Sequence, residues 1–171
     1  MINYAKILSE KEKDNPSPFC RTSYLISNAA QVIHCYGRTL RFGPEGYNAE
    51  MRCALGDTII QTLLLARENC MTHNEISDIL EETKLVINDE YYAPLMKNST
   101  TEELLHHVFD VISDVIKTSQ KSIESQIKIE MLLGALFDVS TKMEWNFDDV
   151  MHEGFQHTIE RFEQFNREGW K

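Results

Sequence analysis

Glu103, His107 and Asp110 stand at i, i+4 and i+7, which puts a carboxylate, an imidazole and a second carboxylate on one helical face. Glu130, on the next helical segment, is placed to approach them. Mixed nitrogen and oxygen donors of this kind suit Zn2+, Mn2+ or Fe2+ better than Mg2+. The same residues serve equally well as a solvated stripe with an ion pair along the helix, and both readings stay open. His152 and His157 read as surface residues. The chain has neither a GxxxxGKS/T loop nor a GxGxxG turn after a strand, so it encodes no glycine-rich phosphate cradle. His34 and Cys35 are sequence neighbours, which point apart on a helix and make no nucleophile–base pair. The four cysteines, Cys20, Cys35, Cys53 and Cys70, lack CxxC spacing and read as buried, reduced thiols.

The elements that position these residues are helices. Across 171 residues there are only 4 prolines and 7 glycines, too few for the turns of a many-stranded β fold. A 42% hydrophobic content suffices for a core. The 27 acids against 17 bases give a formal net charge of −10. Such a surface repels polyanions, so nucleic acid and anionic membranes are poor partners, while a small nucleotide stays possible with a cation to neutralise it. The N-terminal run MINYAKILSEKEKD is no secretory signal, and no stretch reaches the roughly 18 apolar residues of a membrane span, so a cytoplasmic location is expected.

A short helix over residues 2–13 is expected to stop at Asp14-Asn15-Pro16-Ser17-Pro18, because each proline restrains its predecessor away from helix. Leu25, Ile26, Ala29, Ala30, Val32 and Ile33 then mark an amphipathic helix ending near Arg41–Gly46. A second helix, about 48–68, carries apolar residues over well over half its circumference, the mark of a buried or interfacial helix. Thr72-His73-Asn74-Glu75 has the form of a capping box and opens a third helix through Val86. The polar break Lys97-Asn98-Ser99-Thr100-Thr101 places another capping box before a helix bearing Leu104, Leu105, Val108, Val111, Ile112 and Val115. A broadly apolar helix, about 122–143, follows, and a last one begins near Asn146.

Helix order, loop position and cap position thus recur. Residues 25–33 overlay on 104–112, and the second and third helices superpose without a gap, so that Ala66–Met71 falls on Ser140–Trp145 and Ile76 on Val150. The pattern is that of a duplicated three-helix unit.

Residues 50–66, with the Leu55-Gly56-Asp57 step ahead of a buried aliphatic run, resemble the second helix of MazG-type nucleoside triphosphate pyrophosphohydrolases. Met143–Val150 resembles that family's turn into its third helix, and Arg161-Phe162 the arginine and aromatic late in it. The resemblance spans about residues 22–168. It implies an all-α helical bundle of two MazG-like three-helix units packed as a pseudo-dimer. An N-terminal extension over 1–18 would precede a first unit over 19–96 and a second over 97–171, together one compact domain. The implied activity is hydrolysis of a (d)NTP to (d)NMP and pyrophosphate with Mg2+ or Mn2+. The alternative is a catalytically silent relative that serves as a nucleotide-binding or protein-interaction helical scaffold. A nucleoside triphosphate and a second copy of the chain are the partners expected, with no nucleic acid and no membrane.

The family's carboxylate cluster is mostly lost. The first-helix acids become Ser27, Asn28 and Gln31 in the first unit and His106, His107 and Asp110 in the second. On the second helix Ala54 replaces a glutamate and Asp57 survives, while the second unit carries Lys128 and Met131. Asp57 is therefore the implied metal ligand, with Glu50 two turns earlier as a weak assistant and the amides of Asn28 and Gln31 as weak substrate contacts. The other reading of Asp57 is a helix-interior acid kept for a cap or an ion pair.

Overall fold

The computed structural model describes residues 4, 7–8, 18–86, 98–118 and 121–168. The described residues form an all-α protein with helices α1 (Pro18–Phe42), α2 (Tyr47–Glu68), α3 (His73–Val86), α4 (Thr101–Lys117), α5 (Ile123–Lys142) and α6 (Phe147–Glu168). Tyr4, Ile7 and Leu8 are also helical; the rest of the expected 2–13 helix, its break at 14–17 and the residue 96/97 boundary lie outside the described residues. No helix among the described residues is long and apolar enough to cross a membrane.

Helix starts follow the caps read from the sequence. Thr72 Oγ1 accepts from the Glu75 amide at 3.2 Å and Glu75 Oε2 accepts from the Thr72 amide at 2.6 Å, closing the box at α3. Thr100 and Glu103 repeat it at α4, with 3.2 Å and 2.7 Å. The α5 cap was not read from the sequence: it is Ser122, accepting from the Ser125 amide at 3.0 Å.

The helices group into two compact units, one of the described residues between 65 and 147 and one built from the described residues up to 64 and from 148 on. These units do not coincide with the sequence segments 19–96 and 97–171: each draws helices from both halves. In the first, α5 packs against α4 and α3. Its core holds Leu80, Leu105, Val108, Ile112, Ile129, Leu132, Leu133 and Leu136, and Phe137 meets Phe147 at 4.8 Å between ring centroids. In the second, α1, the first part of α2 and most of α6 bury Leu25, Val32, Met51, Leu55, Ile59, Ile60, Val150 and Phe155.

Every residue from Ala54 to Ala66 in α2 is buried, as its all-round apolar character requires. The polar residues in that stretch are hydrogen-bonded within it or by neighbours. Thr58 donates to the Ala54 carbonyl at 2.7 Å, Thr62 to the Thr58 carbonyl at 2.8 Å, and Arg21 Nη1 donates to Gln61 Oε1 at 3.2 Å.

The overlay of residues 66–71 on 140–145 holds in backbone detail. At the end of α2 the Met71 amide bonds the Ala66 carbonyl and the Cys70 amide the Arg67 carbonyl, each at 3.1 Å. At the end of α5 the Trp145 amide bonds the Ser140 carbonyl at 2.9 Å and the Glu144 amide the Thr141 carbonyl at 3.0 Å. Cys70 and Glu144, the paired positions, both take left-handed backbone, with φ of 66° and 58°. This is one helix-ending motif used twice, at equivalent places.

Candidate functional site

The site begins with two glycines. A Cβ on Gly56 of α2 would fall 2.5 Å from the Val150 carbonyl oxygen and 2.9 Å from the Gly154 amide nitrogen of α6. The backbones of the two helices therefore touch there, and a glycine on both sides permits it. One residue beyond Gly56 comes Asp57, and one turn beyond Gly154 come His157 and then Arg161. The close crossing brings these three side chains together.

Asp57 is buried, its side chain only 6% exposed. His157 Nδ1 lies 2.9 Å and 3.0 Å from its two carboxylate oxygens, and Arg161 Nη1 donates to Oδ2 at 3.2 Å. Burial raises the Asp57 pKa above the ordinary carboxylate value, while the His157 hydrogen bond and the His157 and Arg161 charges pull it back down. Cys53, one turn before Asp57, is half-buried, and its Sγ stands 3.5 Å from the same His157 Nδ1. Burial, and then the Asp57 charge, push the Cys53 thiol up. Arg52 and Glu153 brace the same two helices with a bidentate pair at 2.7 Å and 2.8 Å.

Cys53, Asp57 and His157 do not form a nucleophile–base–acid relay. Such a relay uses the two ring nitrogens of histidine separately, one facing the nucleophile and the other the carboxylate. Here thiol and carboxylate both face Nδ1. Three donor atoms converge around one point instead, each within 4.8 Å of the others. Mg2+, one of the two ions the resemblance implies, takes oxygen ligands in octahedral array, and a set of one carboxylate, one thiol and one imidazole does not fit it.

The other expected site residues lie apart from this group. Glu50 is exposed and accepts from the Cys35 thiol at 3.8 Å; burial, then the Glu50 charge, raise the Cys35 pKa. Gln31 is exposed, with Nε2 3.5 Å from Cys35 Sγ. Asn28 is buried, and its Nδ2 has no hydrogen-bond partner. Glu103 is held in the α4 capping box, while His107 and Asp110 are exposed. Glu130 has its pKa raised by desolvation, then by Glu82 and Glu75 of α3, so its electrostatic neighbours are acids. Lys128 pairs with Asp114 at 3.3 Å. Among the described residues, Cys53, Asp57 and His157 form a metal-competent group; Glu103, His107, Asp110 and Glu130 do not.

His157 is 39% exposed, as its reading as a surface residue expects, but that reading gave it no part in this group, where it meets Asp57. The signal was Gly154, an interior helical glycine three residues before His157, with Arg161 four residues after on the same face. The buried-thiol reading holds for Cys35, is half met by Cys53 and fails for Cys70, which is exposed in the turn after α2. Comparison of the chain with protein-family models, curated proteins and solved structures gives no match.

Proposed function

We propose that the chain is a catalytically silent relative of the MazG-type pyrophosphohydrolases, working as a helical interaction scaffold. The observation that carries this reading is the engagement of Asp57, the carboxylate carried over from the family pattern. Both of its oxygens face His157, and one also takes Arg161. A carboxylate so held, with no second acid in the group, lacks the negative charge needed to hold Mg2+ against a triphosphate. The exposed apolar row Ile123, Ile127 and Met131 along α5 supports an interaction role, with self-association its simplest form.

Pyrophosphate release from a panel of NTPs and dNTPs, with Mg2+ and then Mn2+, tests the proposal. The expected result is no release above the protein-free rate for any nucleotide. Release that disappears in Asp57→Asn overturns the proposal and makes the protein an enzyme.

A further inference from the structure

We propose that Cys53, Asp57 and His157 form a binding site for a thiophilic divalent cation of the Zn2+ class, clamping α2 to α6. The inference goes beyond the scaffold reading and does not depend on it.

The spacing of the donor atoms is the first argument. Tetrahedral Zn2+ with bonds of about 2.3 Å to sulfur and about 2.0–2.1 Å to nitrogen and oxygen sets sulfur and nitrogen roughly 3.5 Å apart, and nitrogen and oxygen roughly 3.3 Å apart. Cys53 Sγ and His157 Nδ1 stand 3.5 Å apart. His157 Nδ1 and Asp57 Oδ1 stand 2.9 Å apart and need to open by a few tenths of an ångström. All three atoms fall within 4.8 Å of one another. Rotation of partly exposed side chains supplies the adjustment, since His157 is 39% exposed and Cys53 half-buried.

Donor chemistry is the second. A thiolate, an imidazole and a carboxylate make a set that selects Zn2+ over Mg2+ or Ca2+. On binding, the Cys53 thiol proton leaves to solvent. The proton on His157 Nδ1 leaves too, and neutral histidine can carry one on Nε2 instead. Asp57 binds through Oδ1 and keeps Arg161 on Oδ2, so the arginine becomes the outer partner that orients the carboxylate. A water from the open side completes the four-coordinate shell.

Support for the site is the third. Cys53 and Asp57 lie one turn apart on α2, and His157 comes from α6 just past the Gly56–Gly154 contact. The two helices are fixed against each other before any ion arrives, so binding requires no backbone assembly.

The test uses the full chain stripped of metal with a chelator, then titrated with Zn2+ against a chromophoric competitor and, separately, with Co2+. The expected results are one Zn2+ per chain and, with Co2+, a thiolate-to-metal charge-transfer band together with tetrahedral d–d absorption. Cys53→Ser removes the charge-transfer band. Both Cys53→Ser and His157→Gln weaken Zn2+ by at least about 100-fold, since even an outer-shell partner is worth about 10–100-fold. Cys70→Ser, which alters an exposed thiol, leaves band and affinity unchanged. Helical circular dichroism confirms that each variant is folded. Absence of the band, its persistence in Cys53→Ser, or an equal loss in Cys70→Ser overturns the proposal.

Discussion

Gly154 of α6 rests its backbone on that of Gly56 of α2, so closely that neither position has room for a Cβ. The opposing atoms are backbone, which cannot swing aside as a side chain would. Gly56→Ala and Gly154→Ala should each destabilise the protein by about 3 kcal/mol, the upper part of the range for overpacking. Gly134, mid-way along α5, has nothing within 4 Å of a built Cβ. Gly134→Ala should stabilise by about 0.5–1 kcal/mol, the usual helical gain. Urea unfolding of the three variants checks both signs.

Removing Arg161 from Asp57 should cost more than removing Asp57 itself. Arg161→Met leaves a buried carboxylate with one partner fewer, whereas Asp57→Asn leaves His157 and Arg161 free to turn to solvent. With Arg161 45% exposed and partly screened, the cost of Arg161→Met at neutral pH should be about 1–2 kcal/mol. The pH dependence gives the sign. The Asp57 pKa is raised in the fold, so this group contributes most to stability below its unfolded value, and that contribution is lost as pH rises through the folded one. Arg161→Met raises the folded value further. Its deficit relative to wild type should therefore shrink as pH falls through the variant's folded value and then the wild type's, both of them above the unfolded carboxylate value of about 3.9, a trend that stability curves at several pH values will show.

Glu75 and Glu103 titrate in the opposite sense. Capping hydrogen bonds from Thr72 and Thr100 lower both pKa values. Their contribution is present above the unfolded value of about 4.3 and lost as pH falls through the folded one. The acid side of the stability curve should be shallower in a Glu75→Gln, Glu103→Gln double variant. Thr100→Ala should cost about 1 kcal/mol at neutral pH, as loss of an N-cap does.

Asn69 ties the end of α2 to the start of α5 inside one compact unit. Its Oδ1 accepts from the Lys121 amide and from Ser125 Oγ, each at 2.8 Å, and its Nδ2 donates to the Leu65 carbonyl at 2.9 Å. Asn69→Leu strands these buried groups and should cost about 2–3 kcal/mol by thermal unfolding. Glu144, with φ of 58°, sits where glycine is favoured, so Glu144→Gly should stabilise by about 1 kcal/mol.

Local patterns made most of the fold legible. The apolar breadth of residues 48–68 announced the buried run from Ala54 to Ala66, and two Thr-x-x-Glu boxes marked where α3 and α4 begin. Of the site, Asp57 and Arg161 were singled out in the sequence, while Cys53 and His157 were not read as its members. The contact of Asp57 with His157 joins residues 100 positions apart, and periodicity reports faces of one helix, not which face meets which. Glu103 carries the opposite lesson. The residue suited both a metal stripe and a capping box, and the box prevailed because it satisfies backbone amides that the helix start would otherwise leave unpaired.

On the proposed reading, Asp57 serves an ion-pair group and is not held for Mg2+. Thermal unfolding of wild type and Asp57→Asn, with and without Mg2+, tests it most directly. The expected midpoint is the same with and without Mg2+ for each protein. A Mg2+-dependent rise of roughly 5–10 °C in wild type, as expected at 100 times the dissociation constant, contradicts it if Asp57→Asn abolishes that rise.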